Sequence, residues 1–566
     1  MLAPLAVAAA AFGIYWAFFQ QQRLDQPFRV YGTDAVNRQP AGEGGFLIAF
    51  AILGTLCTAG CATFLRRVLG ARLERALEWA AARRRRVVLV LAAAASLAAA
   101  GLGALAFWHQ SFTDDESAYL LTTKLLRHGH LTMPLHWPLD AFRYQFVVAR
   151  NLRQFSIYGV AHPALLLPGT LIGLPQLACH LAVGVIVVAT AGLARELYGE
   201  RAAVLAALAA AASPFLLATG ATLHNATTAT AFCALFLWLW VRYEQRLHPG
   251  DAFGAGLALA VALHIRALDA LAFAGPAALY ALYRLFAAPH RRARLFGYAG
   301  LGSCVFFGLA TYALVNAELT GNWLRTPYDL FIERWPGAKL FGFGTGPFKY
   351  FRNPPEVAFS KLCVQATRGS FWMLGWPLGV LPALAAPGRR ALLLAAIPIV
   401  LLGGYFFYFA NSVYDTGPVY YLCLLPVTAV LAVRGLGALR GPFGGSAPVA
   451  ALLGLLAAGA LFFAPREFLA AREVARSIRR PKLAVEQARL RHAFVLHPGV
   501  QPPNLHESWV FSPPIPGHPL DDENVVWVAD VPARLQKLMT TYRGWHFFRL
   551  RWQAGQPVIE PADREP

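Results

Sequence analysis

The most informative stretch of the chain is Ser111-Phe112-Thr113-Asp114-Asp115-Glu116-Ser117-Ala118-Tyr119-Leu120. Its three consecutive carboxylates follow directly after a long apolar segment that ends at Trp108. Acids so close to a membrane face are costly unless they are solvated, paired or used in a reaction. The pattern also predicts a helix start, because Thr113 or Asp114 can cap a helix whose positive end favours acids. The two interpretations are compatible.

The composition predicts a helical protein that crosses a membrane many times. The 566 residues are 57% hydrophobic and 14% charged, whereas a soluble domain carries about 25% charged residues. Apolar runs of roughly 18 to 22 residues recur along most of the chain, as membrane-spanning helices require. Seven scattered cysteines, mostly in these runs, favour neither a disulfide framework nor a zinc site.

The net charge of +20 is mostly arginine. It does not imply nucleic acid, because arginines at cytoplasmic loop ends orient membrane helices. They can also bind anionic lipid or a phosphate-bearing substrate. The many Ala and Arg residues, with few Lys, are typical of a bacterial chromosome rich in G and C.

The arginine positions predict the orientation of the spans. The strongest basic segment, from Arg66 to Arg86, is cytoplasmic by the positive-inside rule. The next apolar run, Val87 to Trp108, then ends on the outer side, and the acidic stretch follows it there. Arginines fall on the predicted cytoplasmic side at five separate loops. We therefore expect an all-α polytopic membrane protein with about 13 transmembrane helices, its N-terminus inside and its C-terminus outside.

Four regions divide the predicted chain. Residues 1–86 hold two extra N-terminal spans and the basic cytoplasmic loop. Residues 87–316 hold a transmembrane core whose first periplasmic loop is 109–162. Residues 317–464 hold a second periplasmic loop and the last spans, and residues 465–566 form a soluble periplasmic tail.

The loop and the tail carry their own local patterns. Residues 116–127 have helical spacing and residues 141–152 are amphipathic, so both are expected in the membrane interface, and residues 163–173 are expected to be re-entrant. In the tail, residues 525–528 and 545–552 are predicted strands and residues 532–542 a helix. Together these predict a small C-terminal α/β appendix.

The acidic stretch provides candidates for catalysis. A carboxylate is the usual general base for an acceptor hydroxyl or amine, and Asp114, Asp115 and Glu116 are the candidates. A carboxylate can also hold a metal ion together with further oxygen ligands. Because the sequence has no obvious second acidic cluster, we expect no required metal, although a divalent cation is compatible with the stretch.

Several stretches resemble the GT-C glycosyltransferases, which include the protein O-mannosyltransferases and the aminoarabinose transferases of lipid A. The acidic stretch, with Ala118-Tyr119-Leu120, is similar to the Asp-Glu motif in their first outer loop. Further similar stretches follow in order along the chain: 154–163, 194–199, 212–216, 266–270, 319–328 and 417–421. The resemblance covers residues 87 to 440 and, more weakly, the tail.

The resemblance implies transfer of a sugar from a polyprenyl-phosphate donor to a glycan, lipid or protein acceptor at the periplasmic face of a bacterial inner membrane. It implies an inverting hexosyl- or pentosyltransferase whose partners include membrane lipids and no nucleic acid. Asp115 aligns with the motif aspartate, the base, and Glu116 with the acid beside it. Asp114 is an extra acid that could share or take over the role.

A phosphate-bearing donor requires cations on the outer face, and arginine can bind phosphate through two hydrogen bonds. The basic candidates are Arg143, Arg150, Arg153, Arg266 and Arg325. Arg266 is the strongest, because it lies between two apolar segments with an acid nearby. The other predicted substrate-binding residues are Tyr158, His162, His224, Asp269 and Tyr328. Taken alone, an arginine here is also compatible with snorkelling to the interface, and a histidine with a structural hydrogen bond.

Two other functions fit parts of the pattern. A polytopic transporter or flippase of lipid-linked or polysaccharide precursors would explain intramembrane charge and broken helices. However, no internal repeat is evident, and the polar residues collect in two outer loops rather than at the bilayer midplane. A catalytically inactive scaffold for polysaccharide assembly, with a basic tail that binds a partner, is the third candidate.

Overall fold

The structure is a computed structural model that describes residues 40–142, 144, 146–287, 289–344, 353–375, 379–384, 386, 388–409, 416–498, 525–553 and 556–562. Helices dominate from residue 40 to residue 487, as the apolar runs predict. The first of the two extra N-terminal spans lies outside the described residues.

The α-helices of the described residues, in chain order, are α1 Pro40–Ala82, α2 Arg84–Ala106, α3 Asp114–Arg127, α4 Ala161–Leu171, α5 Leu177–Tyr198, α6 Glu200–Ala211, α7 Pro214–Gly220, α8 Asn225–Arg246, α9 Pro249–Ile265, α10 Ala267–Ala287, α11 Arg291–Thr320, α12 Pro327–Ile332, α13 Pro355–Leu374, α14 Leu381–Leu384, α15 Arg389–Phe406, α16 Leu425–Leu436, α17 Arg440–Phe443, α18 Ala447–Ala458, α19 Ala464–Gln487 and α20 Pro532–Thr541. Short 3-10 helices cover Val419–Leu424 and Gly437–Leu439. A π-helical turn, Gly459–Phe463, joins α18 to α19.

Within the described part of the chain, seven helices are long and apolar enough to cross a membrane. An eighth is counted if α6 and α7, which meet at a bend of 55°, form one broken span. Ser213 lies at this bend and caps α7 by accepting the N–H of Leu216. The polytopic helical architecture is confirmed, and the count of about 13 spans stays a prediction.

The basic segment after the second predicted span is helical rather than a loop. α1 continues through Arg66 and Arg75 to its end at Ala82, and Arg84 begins α2. Ion pairs join this end of the bundle to α6: Arg84 pairs with Glu200, and Arg201 lies 2.7 Å from Glu78. These arginines therefore lie together at one end of the bundle, but they are on helices rather than in a loop.

The first loop combines a helix with a small sheet. α3 agrees with the helical spacing of residues 116–127. Residues 141–152 contribute β2 to an antiparallel sheet of β1 Met133–Pro134, β2 Val147–Arg150 and β3 Arg153–Ser156, in the order β1-β3-β2. Their placement in the membrane interface stays a prediction. Asn151 and Leu152 have positive φ and form the two-residue turn between β2 and β3, a geometry that matches the strand twist. The pair Val148 and Phe155 is buried on one face.

The C-terminal strands form a second sheet that packs on the first loop. It contains β4 Ala493–Pro498, β5 Val525–Asp530, β6 His546–Gln553 and β7 Gln556–Pro561 in the order β5-β4-β6-β7. β5, α20 and β6 confirm the predicted strands and helix. Phe142 packs on Phe494 with ring centroids 6.3 Å apart, and the Ala529 N–H donates to the Ala141 carbonyl at 2.9 Å.

Small residues permit close packing in the helix bundle. At Gly308 of α11, an added Cβ would lie 2.7 Å from the Cβ of Ala260 in α9. Glycine and alanine at such crossings let the backbones approach, which is how helices associate in a membrane. This packing brings the end of α9 close to α11 and positions the break between α9 and α10 described below.

Candidate active site

The acidic stretch forms the first turn of α3. Thr113 caps the helix, and its Oγ1 accepts the N–H of Glu116 at 3.4 Å. Asp114 and Asp115 have exposed fractions of 8% and 9%, and that of Glu116 is 0%. The positive end of the helix dipole favours these acids, so the cap predicted from the sequence is present and coexists with three buried carboxylates.

Glu116 is directed into the protein. Its Oε2 accepts the N–H of Phe112 at 2.6 Å. Burial raises the pKa of Glu116 to about 8, although the hydrogen bond from Phe112 opposes this change. Glu116 is therefore mostly protonated at neutral pH and holds the segment that enters α3.

Asp115 is directed to a tyrosine. The hydroxyl of Tyr158 donates a hydrogen bond to Asp115 Oδ1. Tyr158 follows β3, and its ring packs edge-on against Tyr119, one turn beyond Asp115, with centroids 4.8 Å apart. Two parts of the first loop thus fix the Asp115 carboxylate.

Asp115 borders a set of aromatic side chains, the tyrosine cluster, which consists of Tyr119, Tyr158, Tyr328, Tyr405, Tyr408 and Tyr420. The rings of Tyr158 and Tyr328 are 6.2 Å apart, and the Tyr408 hydroxyl donates to that of Tyr328 at 3.3 Å. Tyr420 lies 5.7 Å from Tyr408 and 5.1 Å from Tyr405. The cluster therefore unites segments that are up to three hundred residues apart in the sequence.

Arg266 lies at the opposite side of the cluster, at the break between α9 and α10. Its Nε is 3.0 Å from Asp269 Oδ2, and the two side chains are 8% and 1% exposed. Its Nη2 donates to the Tyr405 hydroxyl at 2.8 Å and its Nη1 to Asn225 Oδ1 at 3.4 Å. The guanidinium also lies over the ring of Tyr420, 4.8 Å from the centroid. Tyr405 in turn donates to Asp269.

Two tyrosines experience the charges of both Asp115 and Arg266. Burial raises the pKa of Tyr119 well above its usual value; Asp115 adds to this shift and Arg266 opposes it. Burial also raises the pKa of Tyr408; here too Asp115 adds to the shift and Arg266 opposes it. Asp115 and Arg266 therefore both border the tyrosine cluster.

The two predicted histidines are buried as well. His162 lies with Nε2 2.8 Å from the Leu223 carbonyl and Nδ1 2.9 Å from Thr228 Oγ1. Burial lowers its pKa to about 4, against a smaller effect of the Leu223 carbonyl, so the ring is neutral at neutral pH. His224 caps α8 by accepting the Ala226 N–H at 3.3 Å, and burial lowers its pKa, as does Arg266. His162 thus links α4 to α8, and His224 caps the start of α8.

Three other predicted cations contact residues outside the tyrosine cluster. Arg153 pairs with Glu318 at 3.2 Å, and Arg325 pairs with Glu333. Arg150 packs against Gly321, where an added Cβ would lie 3.1 Å from Nη2. Arg143 lies outside the described residues. The structure thus brings together Asp115, Tyr158, Tyr328, Arg266 and Asp269 from the predicted set.

The sequence did not single out Tyr119, Tyr405, Tyr408, Tyr420 or Asn225. A signal was present for three of them, because Tyr405, Tyr408 and Tyr420 lie at the ends of apolar runs, where tyrosine favours the membrane interface. Their contact with Arg266 depends on the packing of distant helices. In the part of the chain that the structure describes, no group of three or more His, Cys, Asp and Glu side chains could hold a metal ion.

Comparison with known proteins gives a family match over part of the chain and a solved structure with a similar fold. Residues 171–315 match the family model described as dolichyl-phosphate-mannose-protein mannosyltransferase. The structure of ArnT from Cupriavidus metallidurans bound to undecaprenyl phosphate aligns with a TM-score of 0.51 at 14% identity, over 84% of this chain and 99% of that chain. The archaeal oligosaccharyltransferase AglB from Archaeoglobus fulgidus, in complex with an inhibitory peptide and a dolichol-phosphate, gives 0.38 at 14% identity, over 69% and 56%.

No curated protein matches the chain in sequence. The ArnT alignment covers nearly the whole of that protein and shows a common fold. Together with the mannosyltransferase family model, it confirms the resemblance of this multi-pass membrane protein to the GT-C glycosyltransferases.

Proposed function

We propose that the protein transfers a sugar from a polyprenyl-phosphate donor to a glycan, lipid or protein acceptor at the periplasmic face of a bacterial inner membrane. In this proposal the N-terminus is cytoplasmic, and α3, the tyrosine cluster and the C-terminal strands are periplasmic. The observation that carries it is that Asp115 and Arg266 both border the tyrosine cluster. The ArnT fold supports a lipid carrier, since that relative binds undecaprenyl phosphate.

In the proposed reaction the acceptor hydroxyl or amine attacks the anomeric carbon of the donor sugar. Its proton passes to the Asp115 carboxylate, and the bond between the anomeric carbon and the phosphate oxygen breaks with inversion. The leaving phosphate keeps the electron pair of that bond. A cation near the phosphate stabilises the charge that develops there.

Arg266 has the hydrogen-bonding capacity for this role. A guanidinium has five N–H groups, and Asp269, Tyr405 and Asn225 each face one of its three nitrogens. Each terminal nitrogen carries a second N–H group, so two remain for phosphate oxygens. Asp269 and Tyr405 would hold the guanidinium in place before the donor arrives, which avoids reorganisation in the reaction.

The structure favours Asp115 over its two neighbours as the proposed base. Asp115 receives the hydrogen bond of Tyr158, a member of the tyrosine cluster, whereas Glu116 is fully buried and bound to the backbone at Phe112. Asp114 occupies the first position of the same helix. We propose Tyr158 and Tyr328 as sugar-binding hydroxyls and Arg150, Arg153 and Arg325 as peripheral contacts to the donor.

The test is a transfer assay with a panel of lipid-linked sugars. Purified protein in proteoliposomes receives polyprenyl-phosphate hexoses and pentoses labelled in the sugar, with lipid, glycan and peptide acceptors. We expect the label of one donor to appear in an acceptor with release of an equal amount of polyprenyl phosphate. The anomeric configuration of the product then tests inversion. Label that crosses the membrane while still attached to its carrier would instead indicate a flippase.

A further inference from the structure

The helix that leaves the last span changes from apolar to basic on its outer surface. α18, the π-helical turn and α19 form one apolar-to-polar segment, Ala447–Gln487. Leu461, Phe462 and Leu469 are large apolar side chains with exposed fractions of 68%, 48% and 63%, as expected of residues that face lipid tails. Four arginines follow within three helical turns: Arg472, Arg476, Arg479 and Arg480.

These four arginines share one face of α19, here named the basic stripe. The buried residues Ala471, Val474, Ala475 and Ile478 define the inner face of the helix. Because residues four apart lie above one another on a helix, Arg472, Arg476 and Arg480 line up on the side away from that inner face. Leu469 lies two turns before Arg476, so the lipid-facing side of the helix continues into the stripe.

Trp108 indicates the depth of the basic stripe. It follows α2, a candidate span that ends at Ala106, and tryptophan at a span end favours the headgroup level. The guanidinium groups of Arg472 and Arg479 lie over its ring, 5.8 Å and 5.1 Å from the centroid. Gln110 Nε2 also donates to the Ala475 carbonyl at 3.0 Å. The stripe therefore lies beside the lipid headgroups.

Within the described residues, one acidic side chain pairs with the stripe. Glu473 lies 3.8 Å from Arg476, and both side chains are more than half exposed; such exposed pairs contribute little. A cluster of basic residues next to a membrane span attracts anionic lipid. We propose that the basic stripe binds the phosphate headgroups of anionic phospholipids in the leaflet from which α19 emerges.

This binding has a consequence for the acidic stretch. The inner face of α19 packs with Phe107 and Phe112 in one apolar cluster, and Phe112 donates its N–H to Glu116. Lipid bound on the outer face of α19 would therefore hold this helix against the segment that enters α3. The lipid is a structural partner in this proposal and is separate from the sugar donor.

The test compares two double variants with the same change of charge. Arg476→Gln with Arg480→Gln removes half of the stripe and keeps both arginines that contact Trp108. Arg489→Gln with Arg491→Gln, two exposed residues just beyond α19, is the control. Native mass spectrometry and thermal stabilisation of the full-length protein are measured with phosphatidylglycerol, phosphatidylcholine, undecaprenyl phosphate and inorganic phosphate.

We expect the stripe variant to bind phosphatidylglycerol about 20- to 30-fold more weakly, about five-fold per arginine, and the control less than 3-fold. Arg476→Gln alone, with a five-fold effect, serves if the double variant does not fold. Equal losses in both variants, or no loss in the stripe variant, would overturn the proposal. The proposal would also be overturned if inorganic phosphate or phosphatidylcholine bound as tightly as phosphatidylglycerol. It would likewise be overturned if the stripe variant lost binding of undecaprenyl phosphate alone.

Discussion

The start of α3 and the break between α9 and α10 both bury charged groups at a helix end, but they compensate the charge in different ways. At α3, the helix dipole stabilises the acids, a backbone N–H donates to Glu116 and a tyrosine hydroxyl donates to Asp115. At the break, Arg266 and Asp269 form an ion pair at 3.0 Å, and Tyr405 contacts both partners. The first region is rich in acid, and the second is neutral as a pair.

In each region, one residue stabilises the fold and another is proposed to act on the substrate. Glu116 and Asp269 are 0% and 1% exposed and satisfy groups of the protein itself. Asp115 and Arg266 border the tyrosine cluster. Each region therefore has one acidic residue that stabilises the fold and one residue that the proposed reaction would use. The following variants test this division.

The largest expected effect is that of Arg266→Gln. It leaves Asp269 buried without its cation, which costs about 3 to 5 kcal/mol of the free energy of unfolding. It also removes the proposed phosphate contact, so the transfer rate per folded molecule should fall by about 100-fold or more. Thermal unfolding and the transfer assay measure the two effects separately.

Arg294→Gln is the matched control for that variant. Arg294 and Glu244 form another buried pair, at 2.6 Å, with side chains 4% and 6% exposed, remote from the tyrosine cluster in sequence and contacts. We expect a comparable loss of stability and a transfer rate per folded molecule close to that of the wild type. If both variants lose the same rate per folded molecule, Arg266 has no specific role in binding the donor.

Tyr158→Phe should have a smaller effect on both rate and stability. It removes the hydrogen bond to Asp115 but keeps the ring that packs on Tyr119. A hydrogen bond to a charged group contributes about 1.5 to 3 kcal/mol to stability, so we expect the melting temperature to fall. We also expect kcat per folded molecule to fall by about 10-fold or more, because the Asp115 carboxylate loses the group that positions it. Tyr144→Phe, which loses a bond to the Trp527 carbonyl, is the control and should keep its kcat.

The smallest expected effect on the rate is that of Glu116→Gln, at less than about 3-fold, because the amide can still accept the Phe112 N–H.

The effect of Glu116→Gln on stability depends on pH. The pKa of Glu116 is raised from 4.5 to about 8 in the folded protein, so between these values the unfolded chain releases a proton that the folded chain keeps. Stability therefore falls as pH rises through this window, by at most about 1.4 kcal/mol per pH unit.

Melting curves between pH 5 and pH 8 measure this dependence. Glu116→Gln should flatten the decline, whereas Glu318→Gln, at a side chain that is 59% exposed, should leave it unchanged. If the melting temperature of Glu116→Gln declines with pH as steeply as that of the wild type, Glu116 is ionised in the folded protein. Its proposed role as a protonated group that only stabilises the start of α3 would then be wrong.

The sequence predicted local features well and long-range contacts poorly. Helical spans, the cap at Thr113 and the strands near residues 525 and 546 follow from periodicity and capping chemistry. The hairpin of β2 and β3 was missed because Asn151-Leu152 lacks the glycine that usually marks such a turn. The residues around Arg266 were missed because Asn225, Tyr405 and Tyr420 meet only through the packing of helices far apart in the chain.

The most direct test of the account is the transfer rate of Asp115→Asn beside that of Asp114→Asn, each with donor binding measured on the same preparation. Loss of the general base should lower the rate of Asp115→Asn by about 100- to 10,000-fold while donor binding is kept. Asp114→Asn should stay within about 10-fold of the wild type. Full activity of Asp115→Asn, or a larger loss in Asp114→Asn, would contradict Asp115 as the base.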